Sequence, residues 1–123
     1  MILVDTSVWI DHLRARDEIL AALLDEGRVL SHPFVIGELA LGRLRERAPV
    51  LINLGRLPAA TVASDHEVLG FIDRHRLFGS GIGYIDAHLL ASAHLTADAT
   101  LWTRDRRLAA IAQRLHVAAS LPN

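Results

Sequence analysis

Apolar residues fall into two kinds of run along this chain: short continuous ones, and longer ones interrupted at helical spacing. Ile2-Leu3-Val4 is short and continuous and ends in the turn-forming Asp5-Thr6-Ser7, which predicts a buried strand. Val29-Leu30-Ser31 and Leu101-Trp102-Thr103 read the same way, and Thr61-Val62-Ala63 and His116-Val117-Ala118 predict further short strands. Between these lie the helical patterns. Ser7 is expected to cap a helix reaching about Leu13, and Asp17 one reaching Glu26, where Gly27 stops it. Pro33 suits the first turn of a helix running to about Arg47, and Pro49 opens another through about Arg56. Ser64 and Glu67 have the spacing of a capping box for a helix ending near Leu77. After the flexible Gly79-Ser80-Gly81-Ile82-Gly83, helix resumes from about Tyr84 to His94, and a last helix spans Asp105 to Leu115.

Short apolar strands alternating with helices predict an α/β fold: a mainly parallel sheet of four to five short strands, covered on both faces. In such sheets the ligand crevice lies beyond the carboxyl ends of the strands. A chain of 123 residues, 51% hydrophobic and 22% charged, has material for one packed domain, expected over residues 1–123. Cysteine is absent, which excludes disulfides, thiolate catalysis and cysteine zinc sites. Met1-Ile2-Leu3-Val4 meets Asp5 at once, with no basic region and no long apolar stretch, so a cytoplasmic location is expected.

Four acids do not read as surface acids. Asp5 directly follows the first strand, and Asp105 lies two residues beyond Thr103, so both belong at the same edge of the sheet. Asp86 falls in the first turn of its helix, where free amides and the helix dipole favour negative charge. Glu38 lies in the Pro33 helix, flanked by Phe34, Val35 and Leu41, on a border shared with Gly42 and Arg45. Each has a plain alternative: a turn residue, helix-terminus acids, an ion pair of Glu38 with Arg45. Gathered at one rim, however, they are costly. Two carboxylates 4 Å apart repel by about 4 kcal/mol at an effective dielectric near 20. Protons or cations must relieve that repulsion, and an all-oxygen donor set suits magnesium or manganese. A carboxylate-held magnesium pair activates water for attack on phosphorus without a covalent protein intermediate. Ser7 and Thr103 are candidates to hydrogen-bond a carboxylate or a ligand water from behind.

The formal charge of −1 changes meaning with those acids set aside, because 13 basic then face 10 acidic residues, a balance of +3. Every basic residue is arginine, whose planar fork binds two phosphate oxygens at once. Arg43, Arg45, Arg104 and Arg106 lie nearest to Glu38 and Asp105 along the chain and are candidate phosphate contacts. The Gly79–Gly83 loop lacks the Gly-Lys-Ser/Thr of a P-loop and is read as letting the chain approach Asp86 closely. His88 and His94 are read as helix-surface residues, and Trp9 and Trp102 as core or interface aromatics.

Four stretches together resemble the PIN-domain ribonucleases, and within them the VapC toxins of bacterial toxin–antitoxin pairs. They are Val4-Asp5-Thr6-Ser7-Val8-Trp9-Ile10, Pro33-Phe34-Val35-Ile36-Gly37-Glu38-Leu39, Gly83-Tyr84-Ile85-Asp86-Ala87-His88-Leu89-Leu90-Ala91 and Leu101-Trp102-Thr103-Arg104-Asp105. The resemblance implies a PIN fold, an α/β/α sandwich, with Asp5, Glu38, Asp86 and Asp105 as an acidic quartet for magnesium or manganese and Thr103 as its accompanying hydroxyl. It further implies endonucleolytic RNA cleavage to 5′-phosphate and 3′-hydroxyl ends, a homodimer, and a cognate antitoxin protein. A non-catalytic PIN-like module binding RNA or protein is the competing expectation. A phosphoaspartate domain ranks below both, since its chemistry wants a lysine and the chain has none.

Overall fold

The computed structural model describes residues 1–121. Three strands, β1 (Ile2–Val4), β2 (Val29–Leu30) and β3 (Thr100–Trp102), form a parallel sheet in the order β2-β1-β3. All three residues of β1 are buried. Since successive strand residues point to opposite faces, both faces of the sheet are covered. Seven helices do the covering among the described residues: α1 (Thr6–Arg14), α2 (Glu18–Asp25), α3 (Pro33–Leu41), α4 (Arg47–Gly55), α5 (Asp65–Arg74), α6 (Tyr84–Leu95) and α7 (Arg106–Arg114). None is long and apolar enough to cross a membrane.

Of the two outer strands expected from the sequence, Thr61–Ala63 does not form and His116–Ala118 contracts to a single bridge. On one side Ser31 pairs with Ala59, while Thr61 turns its N–H to Thr96 Oγ1 and leaves the ladder. On the other, Leu101 pairs with Ala118, and the left-handed backbone of His116 (φ 60°) prevents a longer strand. The Pro33 helix is also shorter than its pattern predicts. It ends at Leu41, because extended Gly42 breaks it, and Arg47 instead opens α4 and donates twice to Ala40 O. The helix from Ser64 stops at Arg74, short of Leu77, where His75 and left-handed Arg76 (φ 53°) end it.

Caps account for most helix starts. Asp17 Oδ1 accepts from Leu20 N–H, and Ser64 and Glu67 form the reciprocal box. Ser7 does not cap α1. Asp5 occupies that position, and Ser7, two residues on, donates its hydroxyl back to Asp5.

Helix α6 is the centre of the molecule: Ala87 through Ala93 are all buried, as expected of a helix with apolar residues all round. His88 is therefore only 2% exposed, contrary to its reading as a surface residue, and its Nε2–H donates to Asp65 Oδ1 at 3.1 Å. His94, at the end of the same helix, is exposed as expected. Trp9 and Trp102 are core residues.

Candidate active site

The parallel sheet brings the two most distant acids together. Asp5 N–H donates to Trp102 O at 2.9 Å, extending the β1–β3 ladder one residue past the strands and setting Asp5 beside Thr103. Asp5 is 6% exposed, and its Oδ2 accepts from Ser7 Oγ at 2.8 Å and from Thr103 Oγ1 at 2.7 Å. Thr103 Oγ1 also accepts from Asp105 N–H at 3.1 Å, so one hydroxyl links the first and last acids.

The other three acids are each held by a short local bond. Asp105 caps α7, its Oδ1 accepting from Leu108 N–H at 2.9 Å. Asp86 Oδ2 reaches back to Gly83 N–H at 3.1 Å, at the start of α6. Glu38 Oε1 accepts from Thr6 Oγ1 at 2.7 Å, which ties α3 to the start of α1. No ion pair joins Glu38 to Arg45 among the described residues, so the plain alternative for this acid is not realised.

A common pattern runs through the four. One oxygen of each carboxylate is fastened by protein donors, while Asp5 Oδ1, Glu38 Oε2, Asp86 Oδ1 and Asp105 Oδ2 take no protein donor among the described residues. Burial raises the Asp86 carboxyl above the usual carboxylate range; the Gly83 N–H opposes this, and the charges of Asp5, Asp105 and Glu38 raise it further. Asp86 thus feels all three of the other acids. Among the described residues no three acids close tightly on one point. The donor set is nevertheless all oxygen, and the charges of three of its acids act on the fourth, Asp86, which fits a hard divalent cation.

Residues 2–114 match the PIN domain family. The chain belongs to it. Two relatives, each a ribonuclease VapC32 of Mycobacterium tuberculosis (strains CDC 1551 / Oshkosh and ATCC 25618 / H37Rv), are 50% identical to it over 118 residues. The matches cover 96% of this chain and 95% of each relative.

The arginines of this PIN domain divide into two groups. Arg43 and Arg45 line a groove of about 560 Å³ beside Glu38, together with Ile10, Leu13 and Arg14. Arg106 is exposed at the first turn of α7, next to Asp105. Arg104 is committed elsewhere: its guanidinium pairs with Asp11 at 2.6 Å and Asp17 at 2.5 Å and lies 5.6 Å from the Trp102 ring centre. That guanidinium ties the end of β3 to α1 and the cap of α2, and nothing in the arrangement favours it as an RNA contact.

Two residues at the site escaped the sequence reading. Thr6 lay in view within Asp-Thr-Ser, but its partner Glu38 is 32 residues away. Arg14 belongs to the groove only because α1 packs against α3. The glycine loop also has a different reason from the one expected. A Cβ at Gly83 would clear Asp86, whereas Gly81 has a left-handed backbone (φ 89°) and lies under the Arg107 side chain, which a Cβ there would displace. That contact pins the loop to α7 beside Asp105.

Proposed function

We propose that the protein is a magnesium- or manganese-dependent endoribonuclease, the toxin of a toxin–antitoxin pair, which hydrolyses RNA phosphodiesters to 5′-phosphate and 3′-hydroxyl ends. The observation that carries the reading is the set of four carboxylates, each with one oxygen held by protein donors and the other free, with Asp86 raised by burial and by the charges of the other three. Similarity to ribonucleases VapC32 over nearly the whole chain supports it.

Asp5, Glu38, Asp86 and Asp105 would hold the metal. When bound, such an ion polarises a phosphate oxygen and lowers the pKa of water at the reacting phosphorus. The chain's own residues do the rest. Ser7 and Thr103 orient Asp5 by donating two hydroxyls to a single oxygen, and Thr6 orients Glu38 in the same way with one. Arg43, Arg45 and Arg14 offer forked donors along the groove beside Glu38, where a strand's phosphates would lie, and Arg106 does so beyond Asp105. Unpaired RNA is the natural substrate, since its bases can be splayed and read. The protein acts in the cytoplasm as one PIN domain, forms a homodimer and is restrained by a cognate antitoxin. Large exposed apolar side chains, Leu41 at 91% and Phe78 at 68%, are consistent with protein partners.

Purified protein freed of antitoxin is incubated with total cellular RNA in magnesium, manganese or chelator, alongside Asp5→Asn and Asp86→Asn. Discrete metal-dependent fragments bearing 5′-phosphates, lost in both variants, are expected. Cleavage retained by either variant would overturn the metal-site reading of the acids, and none from folded wild type would move the protein to the non-catalytic RNA- or protein-binding reading.

A further inference from the structure

Beneath the acids lies a buried polar contact that the proposed reaction does not use. His32 is fully buried at the N-cap of α3, and Ser92 is fully buried on the inner face of α6. His32 Nδ1 accepts from Phe34 N–H at 3.0 Å, so the ring proton resides on Nε2, which donates to Ser92 Oγ at 3.1 Å. Burial, with His88 nearby, pushes the imidazole pKa down to about 4, which keeps the ring neutral and this tautomer in place. The Phe34 ring fills the space between the two helices, edge-on to His32 at 5.2 Å and to His88 at 4.7 Å.

The two helices joined here carry two of the four acids. Glu38 is on α3 and Asp86 is on α6, each six residues along the chain from its end of the contact. Helix α3 packs chiefly on α1 and α4, and α6 on α5 and β3. Among the described residues, His32–Ser92 is the only side-chain hydrogen bond between α3 with its cap and α6. Ligand constellations work only when held to within about 0.5 Å by residues that are themselves locked. An apolar pair would fill the volume but would not fix the rotation of one helix against the other, whereas a directional bond does.

We propose that His32 and Ser92 are a pair of positioning residues that set the spacing of Glu38 and Asp86 for the metal. This rests on the metal-nuclease reading and extends it to residues outside the acid rim.

Manganese binding followed by the loss of the free-ion electron paramagnetic resonance signal separates this role from a merely structural one, and needs no RNA. His32→Asn keeps an acceptor for Phe34 N–H but is too short to reach Ser92; Ser92→Ala removes the partner alone. Each is expected to weaken manganese binding about tenfold. The double variant should be no weaker than the worse single, because both break one bond. Val117→Ala, a core truncation at the edge of the sheet, serves as the stability control and should bind manganese as wild type does. Should His32→Asn fail to fold, Ser92→Ala carries the test, since losing one hydroxyl removes no volume from the α3 cap. Wild-type affinity in Ser92→Ala, or an equal loss in Val117→Ala, overturns the proposal while leaving the metal site standing. Absence of manganese binding by wild type overturns both.

Discussion

A single hydroxyl does more at this site than its place in the sequence indicates. Thr103 Oγ1 donates to the buried Asp5 carboxylate and accepts the Asp105 N–H, so Thr103→Val withdraws a donor from one acid and an acceptor from the next. We expect it to lower stability by about 2 kcal/mol in urea titration and to weaken manganese binding roughly tenfold, with Thr103→Ser restoring most of both. His32 has a different signature. Its folded pKa lies near 4 against 6.5 in the unfolded chain, so below pH 6.5 the unfolded state takes up a proton that the native ring refuses. Stability from this residue is complete above pH 6.5 and drains away as pH falls toward 4, by on the order of 3 kcal/mol. Denaturation midpoints at pH 7 and pH 5 should differ more in wild type than in His32→Asn, and equal slopes would show that the ring protonates freely.

At the scale of elements, three helix starts near the candidate site, those of α1, α6 and α7, are built around one of the four acids. Asp5 precedes α1, Asp105 caps α7, and Asp86 bonds back to the cap of α6, so the acids occupy positions where backbone amides already favour negative charge. The Gly79–Gly83 loop makes the α6 start possible, and its glycines are not equivalent. Gly81 has a left-handed backbone under Arg107, so Gly81→Ala should cost about 1–2 kcal/mol and loosen the loop beside Asp105. Gly70, inside α5 with open space around it, makes the contrast: Gly70→Ala should stabilise by roughly 0.5–1 kcal/mol. Thermal melts of the two variants check both, and a shift of the same sign in each would contradict the distinction. Strand β1, the Ser64–Glu67 box, the Asp17 cap and the α6 start were legible because each is a local pattern. The end of α3 was not, since Gly42 sits inside a periodic run and Arg47 chooses Ala40 O only once the chain has turned.

For the molecule as a whole, the repelling acids make stability a function of metal and pH together. Asp86 has a folded pKa above its unfolded value of 3.8, so the native state holds its proton longer than the unfolded one. Its contribution therefore declines as pH rises from about that value through the raised folded pKa, opposite to the trend set by His32. Millimolar magnesium at neutral pH should raise the melting temperature by binding only the folded state. Asp86→Asn should melt higher than wild type without metal and lose the magnesium response. An unchanged wild-type melt across magnesium and manganese titrations would argue against a shared site.

The sequence by itself determined the alternation of short strands and helices and the strand-end or helix-start positions of Asp5, Asp86 and Asp105. Strand-end and helix-start positions follow from local pattern, and a parallel sheet places them at one rim. Only the tertiary structure decided the partners. Thr6 on Glu38, His32 on Ser92, Arg104 on Asp11 and Asp17, and the single bridges of Ser31 with Ala59 and Leu101 with Ala118 all join segments distant along the chain. Hydrogen bonds and ion pairs between such segments depend on distances of a few tenths of an ångström, set by packing rather than by periodicity.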